Sequence, residues 1–292
     1  GADDIGNPGP DFKHGWGEVN VLRSVTMLED NQYLLDSISQ GGQNTHVINI
    51  PSGVSQMNLM LYWHDKEGSV NAAPALVNDL DIELFDNSGN SVELPWVLDA
   101  TASSSILDAN ATKGVDNTNN MEQITINNPL SGDYNLVVSG SSIPFGPQEY
   151  SLSYTFLTPE ITVTYPVGGE WWVPGDSEII RWDSYGSSGS FTLELTVDGG
   201  LNWNTISSNI NGSSRQYTLT SAPNIATDNA KVRISRNNIS DESDANFTIV
   251  KVPSNVNVNW ICPDSIYISW NNVSGATAYE VSMLGQKYMD SM

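Results

Sequence analysis

The stretch PALVNDLDIELFD, Pro74 to Asp86, sets Asp79, Asp81 and Glu83 at alternate positions. In a β-strand alternate side chains share a face, so these carboxylates stand in a row about 7 Å apart in succession. Leu80, Ile82 and Leu84 fill the opposite face. Like charges at that spacing repel, and a divalent cation over them removes the conflict. Calcium takes six to eight oxygen ligands. Asp65, Asn78 and the stretch GVDNTNNMEQ, which carries Asp116, Asn120 and Glu122, hold the further oxygens for such a shell. An acidic, solvent-facing strand beside a polar loop accounts for the same residues without an ion. No EF-hand pattern decides between them, so both readings stand.

Other residue types offer less. His14, His46 and His64 are the three histidines, too scattered for a zinc or copper centre. Trp171 and Trp172 are adjacent, so strand alternation buries one and leaves the other free to stack on a sugar or a protein. Trp182 and Trp203 read as core plugs of a sandwich. Cys262, the single cysteine, reads as a small buried hydrophobe and excludes an internal disulfide. The Asn-x-Ser/Thr triplets at Asn110, Asn211, Asn238, Asn246 and Asn272 are expected by chance in an Asn- and Ser-rich chain.

The elements that must position these residues are strands. Apolar residues recur with period two in short runs separated by Gly, Asn, Asp and Pro, which predicts an all-β chain. One exception lies near the start, where Val21, Leu22, Val25 and Leu28 have helical spacing and Asn20 can cap the first turn. Six runs between Thr45 and Phe156 predict a jelly roll or β-sandwich over residues 39–157, interrupted by a polar, irregular loop from Leu94 to Asn120. A second strand set over 158–250 predicts an immunoglobulin-like sandwich. Residues 251–292 hold too few strands for a third one, which predicts disorder or order borrowed from a neighbour.

The 292 residues carry 34 acidic and 11 basic side chains, a net charge of −23. Such a polyanion is repelled by nucleic acid and by anionic membrane, so neither is expected as a partner. No window reaches the roughly 20 apolar residues of a membrane span. No signal peptide opens the chain, so an exported form would be a processed piece.

Several motifs resemble one family. NPGPDFKHGWGEVNVLRSV, with Gly15-Trp16-Gly17 and Asn20, is similar to the closing segment of a subtilisin-like serine peptidase (subtilase) catalytic domain. ALVNDLDIEL, NNMEQITINNPLSGDYNLVVSG and GPQEYSLSY follow in the order seen in the β-domain, akin to a P domain, of many bacterial subtilases. YPVGGEWWVPGDSEIIRW with DGGLNW resembles an immunoglobulin-like module of exported enzymes. VPSNVNVNWICPDSIYISW resembles the start of a fibronectin type III domain. The resemblance implies a secreted or cell-surface bacterial protein whose residues 1–38 are the remnant of a catalytic domain. It implies a β-domain that packs in cis on an upstream catalytic body and often holds calcium. The family's GTS-M-A nucleophile turn and HGT histidine are missing, so no catalytic residue is assigned and the segment itself is expected to be non-catalytic. The rival expectation is an adhesin whose exposed aromatics, Trp171 or Trp172, bind polysaccharide.

Overall fold

The computed structural model describes residues 1–263, 265–273, 276, 278–279, 281–284 and 289–291. The chain is all-β and divides into two compact units, Gly1–Thr158 and Pro159–Met292.

In the first unit, β1 (Ala2–Asp3) pairs with β2 (Glu18–Val19), and α1 (Val21–Glu29) follows. Asn20 caps α1 through its side-chain oxygen, which accepts from Arg23 N. Val21, Val25 and Leu28 lie exposed on α1.

Eight strands then build the sandwich: β3 (Tyr33–Ile38), β4 (Gln43–Ile50), β5 (Gln56–Trp63), β6 (Asp79–Phe85), β7 (Ser91–Glu93), β10 (Met121–Asn127), β11 (Gly132–Ser142) and β12 (Gln148–Leu157). One sheet runs β10-β5-β12-β3 and the other β4-β11-β6-β7, each antiparallel. Apart from β6 and β7, which are neighbours in one sheet, these strands alternate between the sheets in sequence order, which is the jelly-roll pattern. The period-two runs have this cause: each strand gives one face to the shared core and the other to water. Leu59, Leu61, Leu80, Ile82, Leu84, Ile124, Leu136 and Leu152 meet between the sheets, and Trp63 closes one end. The Leu94–Asn120 stretch is less irregular than its composition predicts. It holds a short pair, β8 (Trp96–Val97) with β9 (Thr112–Lys113), and one turn of helix, α2 (Ser104–Leu107). Trp96 Nε1 ties it to Thr125 Oγ1 at 3.1 Å, and Asn7 Nδ2 donates to the carbonyls of Asp108 and Ala109.

The second unit sets β13 (Ile161–Tyr165), β15 (Glu178–Ser184) and β18 (Gln216–Leu219) in one sheet. The facing sheet holds β14 (Trp171–Trp172), β16 (Ser190–Thr196), β17 (Asn204–Asn211), β19 (Thr227–Arg236), β20 (Ile239–Glu242) and β21 (Phe247–Ile249). Two residues, Asn237 and Asn238, join β19 to β20 with φ of 52° and 66°, the left-handed pair that a tight hairpin needs and asparagine tolerates. Trp182 stacks edge-on against Phe191 in the core. Trp203 corrects its expected place: it is half-buried at the surface, with the Arg233 guanidinium 4.2 Å from its ring.

Beyond the sandwich, β22 (Asn257–Cys262) and β23 (Ser265–Ser269) form a hairpin, and β24 (Ser282–Leu284) pairs with β25 (Met289–Ser291). Cys262 is exposed, against expectation, because every residue of β22 faces solvent. The expectation of disorder over 252–292 lies in part outside the described residues.

Candidate functional site

One flank of the sandwich is open along β6. β7 is three residues long and pairs only with Leu84 and Phe85, so the first half of β6 keeps a bare edge. Glu122, from β10 at the edge of the opposite sheet, crosses to it: its Oε2 accepts the Ile82 amide at 2.8 Å. Glu122 is fully buried, beside Leu61 across the strand pair. Asp79 and Asp81 stand half-buried on the outer side of β6, while Leu80 and Ile82 fill the core. Alternation therefore puts the acids where the sequence predicts.

Three oxygens of this group are buried without a hydrogen-bond partner: Asp79 Oδ1, Asp81 Oδ1 and Glu122 Oε1. An orphaned carboxylate oxygen is costly, and native interiors rarely keep one. Protonation is one answer. Burial pushes the Glu122 carboxyl up to about 9, with the charges of Asp81, Asp116 and Asp79 adding to it and the Ile82 amide opposing. Burial, then Asp81, Asp116 and Asp65, raises Asp79 to about 6. Asp81 is raised by burial, against a hydrogen bond donated by Ser141 Oγ to its Oδ2. Ser141, on β11, is a member of the site that residue type alone did not reveal.

The remaining sequence-predicted ligands are already engaged. Asp116 is buried and closes its own turn, accepting from Thr118 N at 2.9 Å, Thr118 Oγ1 at 2.6 Å and Asn119 Nδ2 at 2.6 Å. Asp65 accepts the amides of Val77 (2.7 Å) and Asn78 (2.8 Å), closing the loop between β5 and β6. Asn78 donates to Phe145 O and Gln148 Oε1, and Asn120 donates to Trp63 O. These three brace the loops around Trp63, whose indole nitrogen donates to Asn78 O at 2.9 Å.

The donor set fits a hard cation in kind, being oxygen throughout with three oxygens unspent. It does not form a ready-made centre: among the described residues, no three His, Cys, Asp or Glu side chains are arranged to hold a metal as they stand. Asp79, Asp81, Asp116 and Glu122 share one electrostatic neighbourhood, and an ion would have to draw their side chains together.

Of the histidines, His46 belongs to a different cluster. Its Nε2 lies 2.8 Å from the hydroxyl of buried Tyr150 and 3.7 Å from Asp36 Oδ2. In the second unit the tryptophan pair splits as alternation requires: Trp171 is 72% exposed and Trp172 is fully buried. Trp172 stacks on Phe247 with ring centroids 4.4 Å apart, so it is a core residue and cannot serve as a binding platform.

No protein-family model matches the sequence. A serine protease/ABC transporter B family protein, tagB, of Dictyostelium discoideum is 29% identical over 94 residues. That match spans 32% of this chain and 5% of the tagB protein. Among solved structures, the FN1–FN3 domains of chicken CNTN1 align with 86% of each chain at 13% identity and a TM-score of 0.27, too low to bear on this chain's arrangement. Among the described residues no helix is long and apolar enough to cross a membrane.

Proposed function

We propose that the chain is a non-catalytic accessory region of a secreted subtilisin-like serine endopeptidase, and that its first unit is stabilised by calcium. The peptidase reading rests on the ordered motifs of the first 157 residues and is supported by the local similarity to a protein named as a serine protease. Under it, the exposed stripe of α1 (Val21, Val25, Leu28) is the side that meets a catalytic body in cis. The calcium reading is carried by one observation, the three orphaned oxygens of Asp79, Asp81 and Glu122. Calcium supplies the positive charge that these buried acids lack, and Asp116 adds to the negative charge they share.

Thermal unfolding in EDTA and in millimolar calcium tests this. A ligand present at a hundredfold excess over its Kd adds about 2.7 kcal/mol. For a unit of this size that raises the midpoint by roughly 5–10 °C. The pair Asp79→Asn and Asp81→Asn should abolish the rise while leaving the EDTA midpoint unchanged or higher, since it removes two like charges. A rise that survives the pair would place the ion elsewhere, and no rise would leave a proton-sharing acidic seam.

The rival reading, an adhesin that binds through aromatics, retains one residue of its predicted pair: Trp171, exposed beside a cleft of about 550 Å³ that Asp228 and Lys251 also line. Polysaccharide binding lost on Trp171→Ala would favour it.

A further inference from the structure

We propose that the outer face of the β10-β5-β12-β3 sheet is a saccharide site for one or two neutral or amino-bearing sugar rings, seated in a trough along β12. This proposal rests on neither the peptidase nor the calcium reading. The trough follows from the strand register. On β12, Ser151 lies between Leu35 of β3 and Tyr62 of β5. One row along, Ser153 lies between Tyr33 and Met60. Small hydroxyl side chains thus run down the middle strand, with large apolar and aromatic ones on both flanks, and a groove with a polar floor results.

Its two ends differ. Toward Ser153, the residues Gly1, Ala2, Trp16 and Met27 of the N-terminal segment close over the sheet, leaving a cavity of about 200 Å³. Toward Ser151 the trough is open as a cleft of about 410 Å³, lined by Leu35, Ser37, Tyr62, His64, Glu149 and Ser151. That volume lies within the range of small-ligand sites. The covered end limits the ligand's length.

The lining selects the chemistry. A pyranose has an apolar face for an aromatic wall and a rim of hydroxyls for polar side chains, and Tyr62, 39% exposed, offers such a wall. Glu149 and His64 are exposed at the rim and complement hydroxyl or ammonium groups. Glu149 and the neighbouring Asp36, on a chain of net charge −23, repel uronates and sulfated sugars. An extended peptide fits less well. β12 is an inner strand, bonded to β3 on one side and β5 on the other, so its backbone has no free edge to offer. The floor is also rigid: Tyr150, 3% exposed, takes a hydrogen bond from Asn44 Nδ2 at 2.9 Å, meets His46 at 2.8 Å and donates to Asp36 at 3.4 Å. This cluster pins β3 to β4 of the other sheet. A floor held before binding loses less ordering entropy on binding.

Titration calorimetry and saturation-transfer NMR on the whole chain test the site. The probes are cello-, chito- and chitosan oligosaccharides, oligogalacturonate, and a hexapeptide carrying Lys and Arg. We expect binding of at least one neutral or amino-bearing oligomer and none of oligogalacturonate. Tyr62→Ala should weaken it at least about tenfold, the equivalent of one lost stacking contact. Tyr62→Phe should retain it, Ser151→Leu should block it by filling the floor, and Trp171→Ala should leave it unchanged. Circular dichroism melts check that each variant is folded; should Ser151→Leu fail to fold, the Tyr62→Ala and Tyr62→Phe pair decides. The proposal is overturned if no saccharide binds, if only oligogalacturonate or the peptide binds, or if binding is lost with Trp171→Ala and kept with Tyr62→Ala.

Discussion

Glu122 is the residue on which the acidic seam turns. With its carboxyl pushed up to about 9 against an ordinary 4.5, the folded chain holds a proton that the unfolded chain has released across that interval. Stability therefore falls as pH rises through it, by at most about 1.4 kcal/mol per pH unit from this group. Between pH 7 and 8, above the Asp79 value of about 6, Glu122 still keeps its proton in the folded seam while the unfolded chain has lost it. We expect the EDTA midpoint of the first unit to fall from pH 7 to 8, and Glu122→Gln, which keeps an oxygen for the Ile82 amide, to flatten that fall. Equal slopes in both proteins would mean that Glu122 is ionised in the folded state. Under the calcium proposal, the ion would have to displace the same proton. Calorimetry at pH 7 in two buffers of different ionisation enthalpy should then show proton release on binding, absent in Glu122→Gln. At this scale much was legible in the sequence. Asp79 and Asp81 share a face because strands alternate, and no tertiary knowledge is needed for that. Glu122 could be named as an oxygen donor, but its burial depends on β10 reaching β6 across the open flank, a contact between strands 40 residues apart. Asp65, Asn78 and Asn120 looked equally fit as ligands because sequence gives no sign of which side chains the backbone already engages: Asp65 and Asn78 accept amides, and Asn120 donates to the Trp63 carbonyl.

Strands were the most legible elements and their order the least. Period-two runs identify a half-buried strand wherever one face is wet, which holds for nearly every strand of both units. The jelly-roll order depends on pairings such as β12 with β3, more than 100 residues apart in sequence, and no local pattern encodes them. Cys262 and Trp203 were misplaced for a related reason: both types are usually buried, but every residue of β22 is exposed and Trp203 lies outside the strands, just before β17. Arg236 shows what sequence reading passes over. It ends β19, only 6% exposed, and its guanidinium donates to Gly186 O (2.7 Å), Gly212 O (3.1 Å), Tyr185 O (2.6 Å) and Ser184 Oγ (2.7 Å) while lying 4.4 Å from the Phe191 ring centroid. One side chain thus fastens the ends of β15, β17 and β19. Lysine keeps the charge but cannot fan out to four acceptors. Arg236→Lys should cost about 2–4 kcal/mol, as orphaned buried carbonyls do, read as a lower unfolding midpoint of the second unit. A loss under 0.5 kcal/mol would show that water replaces the guanidinium and that the strand ends hold without it.

The two units have separate hydrophobic cores, one around Trp63, Leu61 and Ile82 and the other around Trp172, Trp182 and Phe247. Every residue of the acidic seam lies in the first unit and Arg236 lies in the second, which makes the molecule a control for itself. A ligand stabilises only the cooperative unit whose folded form binds it. Calorimetric scans should therefore show two transitions in EDTA. Calcium should move one of them upward, and Arg236→Lys should move the other downward. In the double change, calcium on the Arg236→Lys chain, each shift should keep its size, as expected for sites that belong to separate cores and share no partners. Limited proteolysis near Leu157–Pro159 should release two fragments that reproduce the two transitions, the calcium shift going with the fragment that carries Asp79 and Glu122. If calcium instead moves both transitions, or if Arg236→Lys reduces the calcium shift, the units unfold as one cooperative body. The first unit's ion would then stabilise the whole chain, and an accessory role built on an independently folding β-domain would have to give way to one in which both sandwiches act together.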